Sequence, residues 1–207
     1  MASITGSLSP DSDALAIFVN EKHQYRDKKG LLSKELIKKI NSFIKTLKIK
    51  KKNEEIVSFD ISDTQKCFIV KIKNKHESFY PEEIGGRFFS HLKKIKDLNK
   101  IDLYIDSLDF DRQKLVSFFS EFCLGVNLKS YTFNKYKTVN KEKIDKKIIF
   151  KIITSHKENL QKEYKYYDAI KEGVFLSRDL VSEPPNVLNP KTYVNEIQKL
   201  SKLGLKI

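Results

Sequence analysis

The sequence predicts an α/β fold in which a mixed sheet is flanked by helices, followed by a long helix and the truncated start of a second α/β domain. Three observations point there. Segments rich in β-branched and aromatic residues alternate with segments whose apolar residues recur every three or four positions, the order expected of a sheet covered on both faces. Two of the strand-like segments are separated only by turn residues, which implies a hairpin and hence a mixed sheet. Late in the chain, Pro184 and Pro185 interrupt a long helical pattern, because proline lacks an amide hydrogen and disfavours helical geometry in the residue before it.

Taken in order, residues 1–12 are small and polar and are expected to fray. Residues 13–19 (Asp-Ala-Leu-Ala-Ile-Phe-Val) form a short continuous apolar run, the pattern of a buried strand. From Ser33, read as a helix start, Leu36, Ile37, Ile40, Phe43, Ile44 and Leu47 have helical spacing. Residues 55–61 and 66–72 read as strands joined by Ser62-Asp63-Thr64. Pro81-Glu82-Glu83 opens a helix whose inner stripe is Ile84, Phe88, His91, Leu92 and Ile95. Residues 101–105 form a strand, 112–127 a helix apolar on more than one face and therefore largely buried, and 147–153 a further strand.

These elements place an N-terminal α/β domain at 13–153. Residues 154–182 then show a long helical pattern marked by Leu160, Tyr164, Tyr167, Ile170 and Val174, and 154–185 reads as a linker helix ending in the Pro-Pro bend. The chain restarts at Asn189-Pro190, a cap followed by a proline in the first helical turn. Tyr193, Ile197, Leu200 and Leu203 mark the inner face of that helix, Gly204 is its C-terminal cap, and 205–207 begins a strand. Residues 186–207 are thus expected to be the beginning of a second domain.

Composition narrows the function classes. With 40% apolar residues and 14 phenylalanines in 207 residues, the chain can bury a sizeable core. No apolar run approaches the ~18 residues needed to cross a bilayer. The run at 14–19 is too short for a secretory leader, so no membrane partner and a cytoplasmic location are expected. Cys67 and Cys123 each lie in an apolar stretch and read as buried free thiols. His23, His76, His91 and His156 are scattered, with no metal-ligand spacing. The net charge of +13 reads either as the Lys-rich drift of an AT-rich genome or as a sign of nucleic acid as a partner through Lys-rich faces; only Arg26, Arg87, Arg112 and Arg178 are arginine, the better phosphate-binding side chain. The densest run, 45–52, reads as a solvated helix end and loop. Gly85-Gly86 lies within a helical pattern and makes a poor phosphate loop.

The segment 173–190, containing Arg178-Asp179-Leu-Val-Ser182-Glu183-Pro184-Pro185-Asn186-Val-Leu-Asn189-Pro190, resembles the interdomain linker of leucyl aminopeptidases, also called cytosol aminopeptidases. Ser182 stands where that pattern has Asn, and Asn189 where it has Thr. Upstream, Ser-Tyr131-Thr-Phe133-Asn-Lys135-Tyr136-Lys137 resembles the family's Tyr-x-Phe-x-x-Tyr-Lys segment. The resemblance implies a macro-like N-terminal domain and a full-length homo-hexamer that releases N-terminal amino acids, preferentially leucine, from peptide substrates. It also implies a site for two divalent metals, manganese or zinc, and some relatives bind DNA. The family's Asn-Thr-Asp-Ala-Glu-Gly-Arg signature does not occur in these residues. No catalytic or metal residue is therefore assigned, no cofactor is expected within this chain, and the chain alone is expected to be inactive.

The matched residues are read as structural. Pro184 and Pro185 fix the exit direction of the helix, and Asn186 satisfies backbone groups at the bend. Arg178 and Asp179 either anchor the helix to a catalytic domain or form a solvent-facing ion pair. Tyr131, Phe133, Tyr136 and Lys137 read as a packing motif. The remaining Asp and Glu residues are expected to be solvated. Two further readings stay open: a nucleic-acid-binding α/β module, and a pure spacer in an assembly.

Overall fold

A computed structural model describes residues 3–49, 54–75, 77–138 and 147–207. Six strands form one mixed sheet: β1 (Ser3–Thr5), β2 (Ala14–Val19), β3 (Ile56–Asp60), β4 (Lys66–Lys71), β5 (Lys100–Tyr104) and β6 (Ile149–Ile153). Their spatial order is β1-β6-β5-β2-β4-β3. All neighbours are parallel except the β3–β4 hairpin, whose turn is closed by Ser62 Oγ accepting the Gln65 amide.

The described residues also form helices α1 (Lys34–Ile49), α2 (Tyr80–Lys93), α3 (Arg112–Ser130), α4 (Lys157–Ser182) and α5 (Pro190–Gln198). α1 covers one face of the sheet, packing Ile40 and Ile44 on Leu15, Ile17, Cys67 and Ile69. α2 and α3 cover the other, over Ala14, Ala16, Phe18, Phe68 and Leu103. Cover on both faces explains why β2 is buried at all six positions instead of alternating.

The second core is aromatic, and its geometry depends on two glycines. Phe18 meets the edges of Phe119 and Phe122 with ring centroids 4.6 and 5.5 Å apart, and Phe68 meets Phe88 at 5.7 Å. α2 and α3 reach this arrangement by touching backbone to backbone. A Cβ on Gly85 would stand 2.1 Å from the Phe122 carbonyl oxygen, and one on Gly125 would stand 1.9 Å from that of Glu82. Gly85-Gly86 is therefore a helix-packing feature in mid-α2.

Several local expectations are corrected. Residues 3–12 do not simply fray: Ser3–Thr5 pairs with β6, and the following segment is tied down where the buried Asp102 carboxylate accepts the Ser9 amide at 2.5 Å. Asp102 is thus not solvated, and burial raises its pKa above the ordinary aspartate value. Asp27 likewise accepts the amides of Leu31 and Leu32 and the Tyr104 hydroxyl. His91 faces solvent with Nδ1 against the Arg87 carbonyl, and Phe89 is buried in α2 beside Phe88. Residues 205–207 form no strand, and no residue of α5 is buried. The amphipathic face of α5 is present, but α5 contributes to neither core. Lys50, Lys51, Lys52 and His76 lie outside the described residues.

Replacing Gly85 or Gly125 by alanine is expected to cost about 1–3 kcal/mol, because two helix backbones must separate. Gly173→Ala, in α4 with open space around it, is expected to stabilise by about 1 kcal/mol through helix propensity. Urea denaturation midpoints of the three variants check the contrast.

Candidate functional site

The two segments singled out in the sequence lie together in space, at the end of α3 and the end of α4. α3 stops at Ser130, and Tyr131 turns away with extended ψ of 133°. α4 lies along α3: Leu160 is fully buried, Asn127 donates to the Tyr164 hydroxyl at 3.0 Å, and the Tyr167 hydroxyl donates to Glu121 at 3.2 Å. Burial, reinforced by the Glu121 carboxylate, pushes the Tyr167 phenol up to about 12.

At the far end of this helix pair, Arg178 and Asp179 both turn back onto the end of α3. Arg178 Nη1 donates to the Leu128 carbonyl at 2.6 Å, one of the last four carbonyls of α3 that have no partner within the helix. A cation there also complements the negative end of the helix dipole. The same guanidinium lies 5.5 Å from the centre of the Tyr131 ring. The Tyr131 hydroxyl donates to Asp179 Oδ1 at 2.7 Å, and its ring packs on Phe175 at 5.1 Å.

One turn further on, Glu183 is the last residue before the prolines. Its backbone is extended (φ −72°, ψ 138°), the conformation that a following proline favours. Its side chain, 9% exposed, accepts hydrogen bonds from Lys135 Nζ and the Tyr136 hydroxyl. Those bonds, Lys135 first and Tyr136 second, hold the Glu183 carboxyl below the usual glutamate value. The Phe133 and Tyr136 rings sit 5.8 Å apart. Lys137 closes the turn through its amide, bonded to the Asn134 carbonyl, and its side chain is exposed.

Beyond Glu183 the bend is held by backbone. The Pro184 carbonyl accepts the amides of Val187 and Leu188, each at 2.9 Å, while Asn186 is exposed. Asn189 caps α5 by accepting the Lys191 and Thr192 amides, Thr192 Oγ1 accepts the Asn189 amide in return, and Pro190 occupies the first turn. A groove of about 460 Å³ runs between the 133–135 loop, the end of α4 and α5, lined by Phe133, Leu176, Leu180, Glu183, Leu188 and Thr192.

Among the described residues no group of three His, Cys, Asp or Glu side chains could hold a metal ion. Both cysteines are buried and unpaired, with burial pushing each thiol up to about 12. At the carboxyl ends of β2 and β5, where open α/β sheets often take ligands, the chain places its own loop. Arg26 donates its amide to the Ser107 carbonyl at 2.8 Å, and Ser107 Oγ bonds the Phe18 amide at 2.8 Å. Sequence reasoning singled out most residues of the bend. It missed the role of Lys135, the Leu128 carbonyl and Phe175, for which spacing along the chain offers no signal.

No protein-family model matches the chain. By sequence it is homologous to cytosol aminopeptidases over 59% of its length. It is 35% identical over 126 residues to a probable cytosol aminopeptidase of Agrobacterium fabrum, and 37% identical over 126 residues to one of Phytoplasma mali. It spans 24% of the length of each of these relatives. By structure it is similar to a tomato leucine aminopeptidase mutant, with a TM-score of 0.75 over 98% of this chain and 42% of that one, at 19% identity. The bottromycin maturation enzyme BotP, in complex with Mn, gives a TM-score of 0.59 over 93% of this chain and 36% of that one, at 13% identity.

If the Glu183 contacts help hold the bend, their contribution has a defined pH window. The folded-state pKa is depressed, so the contribution is present above the ordinary glutamate value of 4.5 and is lost as pH falls through the lower folded value. Glu183→Gln is therefore expected to destabilise near neutral pH, with the difference from the parent chain shrinking below pH 4.5, as thermal melts at a series of pH values would show.

Proposed function

From homology to cytosol aminopeptidases over 59% of the chain, we propose that these residues form the N-terminal portion of a leucyl aminopeptidase-type peptide hydrolase and serve it structurally. Residues 13–153 are read as a macro-like N-terminal domain, 154–185 as the linker helix and Pro-Pro bend, and 186–207 as the beginning of the catalytic domain. The observation that carries this reading is the 35% and 37% identity over 126 residues, and a fold likeness covering 98% of the chain is in keeping with it. Val181, Tyr193, Val194 and Leu203 are each at least 44% exposed on α4, α5 and the turn after it. They are the surface that a following catalytic domain would cover.

The proposed full-length protein releases N-terminal amino acids from peptides as a cytoplasmic homo-hexamer with two divalent metals, manganese or zinc. The residues described here do not fit such a metal pair. The carboxylates nearest the bend, Asp179 and Glu183, are engaged by Tyr131, Lys135 and Tyr136, and no third ligand stands with them. What this portion supplies is orientation: a sheet domain, a helix docked on α3, and a bend that aims the chain.

The purified 207-residue chain is expected to leave leucine amide intact with manganese present. Hydrolysis by this chain would overturn the structural reading. Finding the Asn-Thr-Asp-Ala-Glu-Gly-Arg signature encoded downstream of Ile207 would support the assignment, and an unrelated downstream sequence would remove it.

A nucleic-acid-binding module is the second reading, and one feature favours it: Lys34, Lys38, Lys45 and Lys48 lie exposed along one side of α1. Affinity for duplex DNA that falls steeply with added salt would support it, and no binding at about 50 mM salt would remove it.

A further inference from the structure

We propose that the 131–136 segment is a clasp that locks the direction in which the chain leaves α4, and that Glu183 is the residue it grips. Most torsions at the bend are already constrained. Each proline ring fixes its own φ near −65°. The carbonyl of Pro184 is tied to two amides downstream, so 184–188 moves as one turn. α5 is joined to that turn by Thr192, whose hydroxyl donates to the Val187 carbonyl at 2.8 Å. α4 is docked on α3 as far as Arg178 and Asp179. What is left between these two pieces is rotation about the Glu183 backbone, whose amide still reaches the Leu180 carbonyl at 3.3 Å, at the end of the helix and before the first proline.

The side chain of that same residue is held from two directions, by Lys135 Nζ on one carboxylate oxygen and by the Tyr136 hydroxyl on the other. Both donors come from a loop that is itself fixed to α4 through Tyr131, by its bond to Asp179 and its contact with Phe175. A side chain held at both oxygens restricts rotation of its own backbone, so the clasp acts where α4 meets the first proline. This also gives a physical reason for the two segments to occur together: one is the hinge and the other its lock. Among the described residues α5 adds none to either hydrophobic core, so packing on the cores does not fix its direction instead.

The test is a distance, and it stands apart from peptide hydrolysis, so the clasp and the aminopeptidase reading can fail separately. Spin labels are placed on the full chain at Ala169→Cys in α4 and Val194→Cys in α5, both exposed, while Cys67 and Cys123 are buried. Pulsed electron spin resonance should give one narrow distance peak for this parent. Lys135→Met combined with Tyr136→Phe should replace it by a broad or multiple distribution, with far-ultraviolet circular dichroism unchanged. Glu183→Ala, which disrupts the same contacts from the α4 side, should broaden it equally. Lys137→Met, in the same loop but outside the clasp, should leave it narrow. A broad distribution in the parent, or a narrow one in Glu183→Ala, would overturn the proposal.

Discussion

A helix that must end before two prolines leaves its final side chain at the point where the chain changes direction. Here that side chain is Glu183, and it is gripped by Lys135 and Tyr136. The arrangement depends on α4 lying along α3 closely enough to bring residues 47 and 48 positions apart into hydrogen-bond range. That docking depends in turn on α3 being fixed to the sheet domain, which the close approach at Gly85 and Gly125 and the phenylalanine cluster provide. A chain of dependence therefore runs from two glycines in the core to the direction of a surface helix.

The contacts at the bend are small individually. Water screens the Lys135–Glu183 pair at its exposed lysine, and the entropy of holding that lysine offsets part of the attraction. Their value lies in position. Arg178 satisfies a carbonyl that α3 cannot satisfy itself, Asp179 orients Tyr131, and Glu183 is held by its side chain where α4 meets the first proline. These contacts add to the restriction that the following proline already places on the Glu183 backbone. The same contacts engage the carboxylates near the bend, which agrees with a structural role for this portion.

The elements of the sheet domain were legible because their periodicity reflects burial. β2, with six apolar residues, and α1, with its stripe ending at Leu47, required little more than counting. β1 was not legible: Ser3-Ile-Thr5 is too short for a pattern, and it is a strand only because β6 offers an edge. His91 was assigned inward because it falls three residues after Phe88, but the buried stripe turns toward Phe89 and Leu92. The apolar face of α5 could be read, but its lack of cover could not, because burial depends on neighbours and not on the helix. At the bend, sequence spacing located the prolines and the Asn189 cap. The pairing of Lys135 and Tyr136 with Glu183 is a tertiary result of α3–α4 docking and leaves no local trace.

On the clasp proposal, the 131–136 loop and the end of α4 act as one unit. Amide hydrogen exchange across residues 179–183 tests it most directly, in Tyr131→Phe, in Asp179→Ala and in the double variant. Each single change is predicted to raise exchange there, and the double variant is predicted to exchange no faster than the worse single, because both remove one shared bond. Effects that simply add, or exchange unchanged in all three variants, would contradict the account.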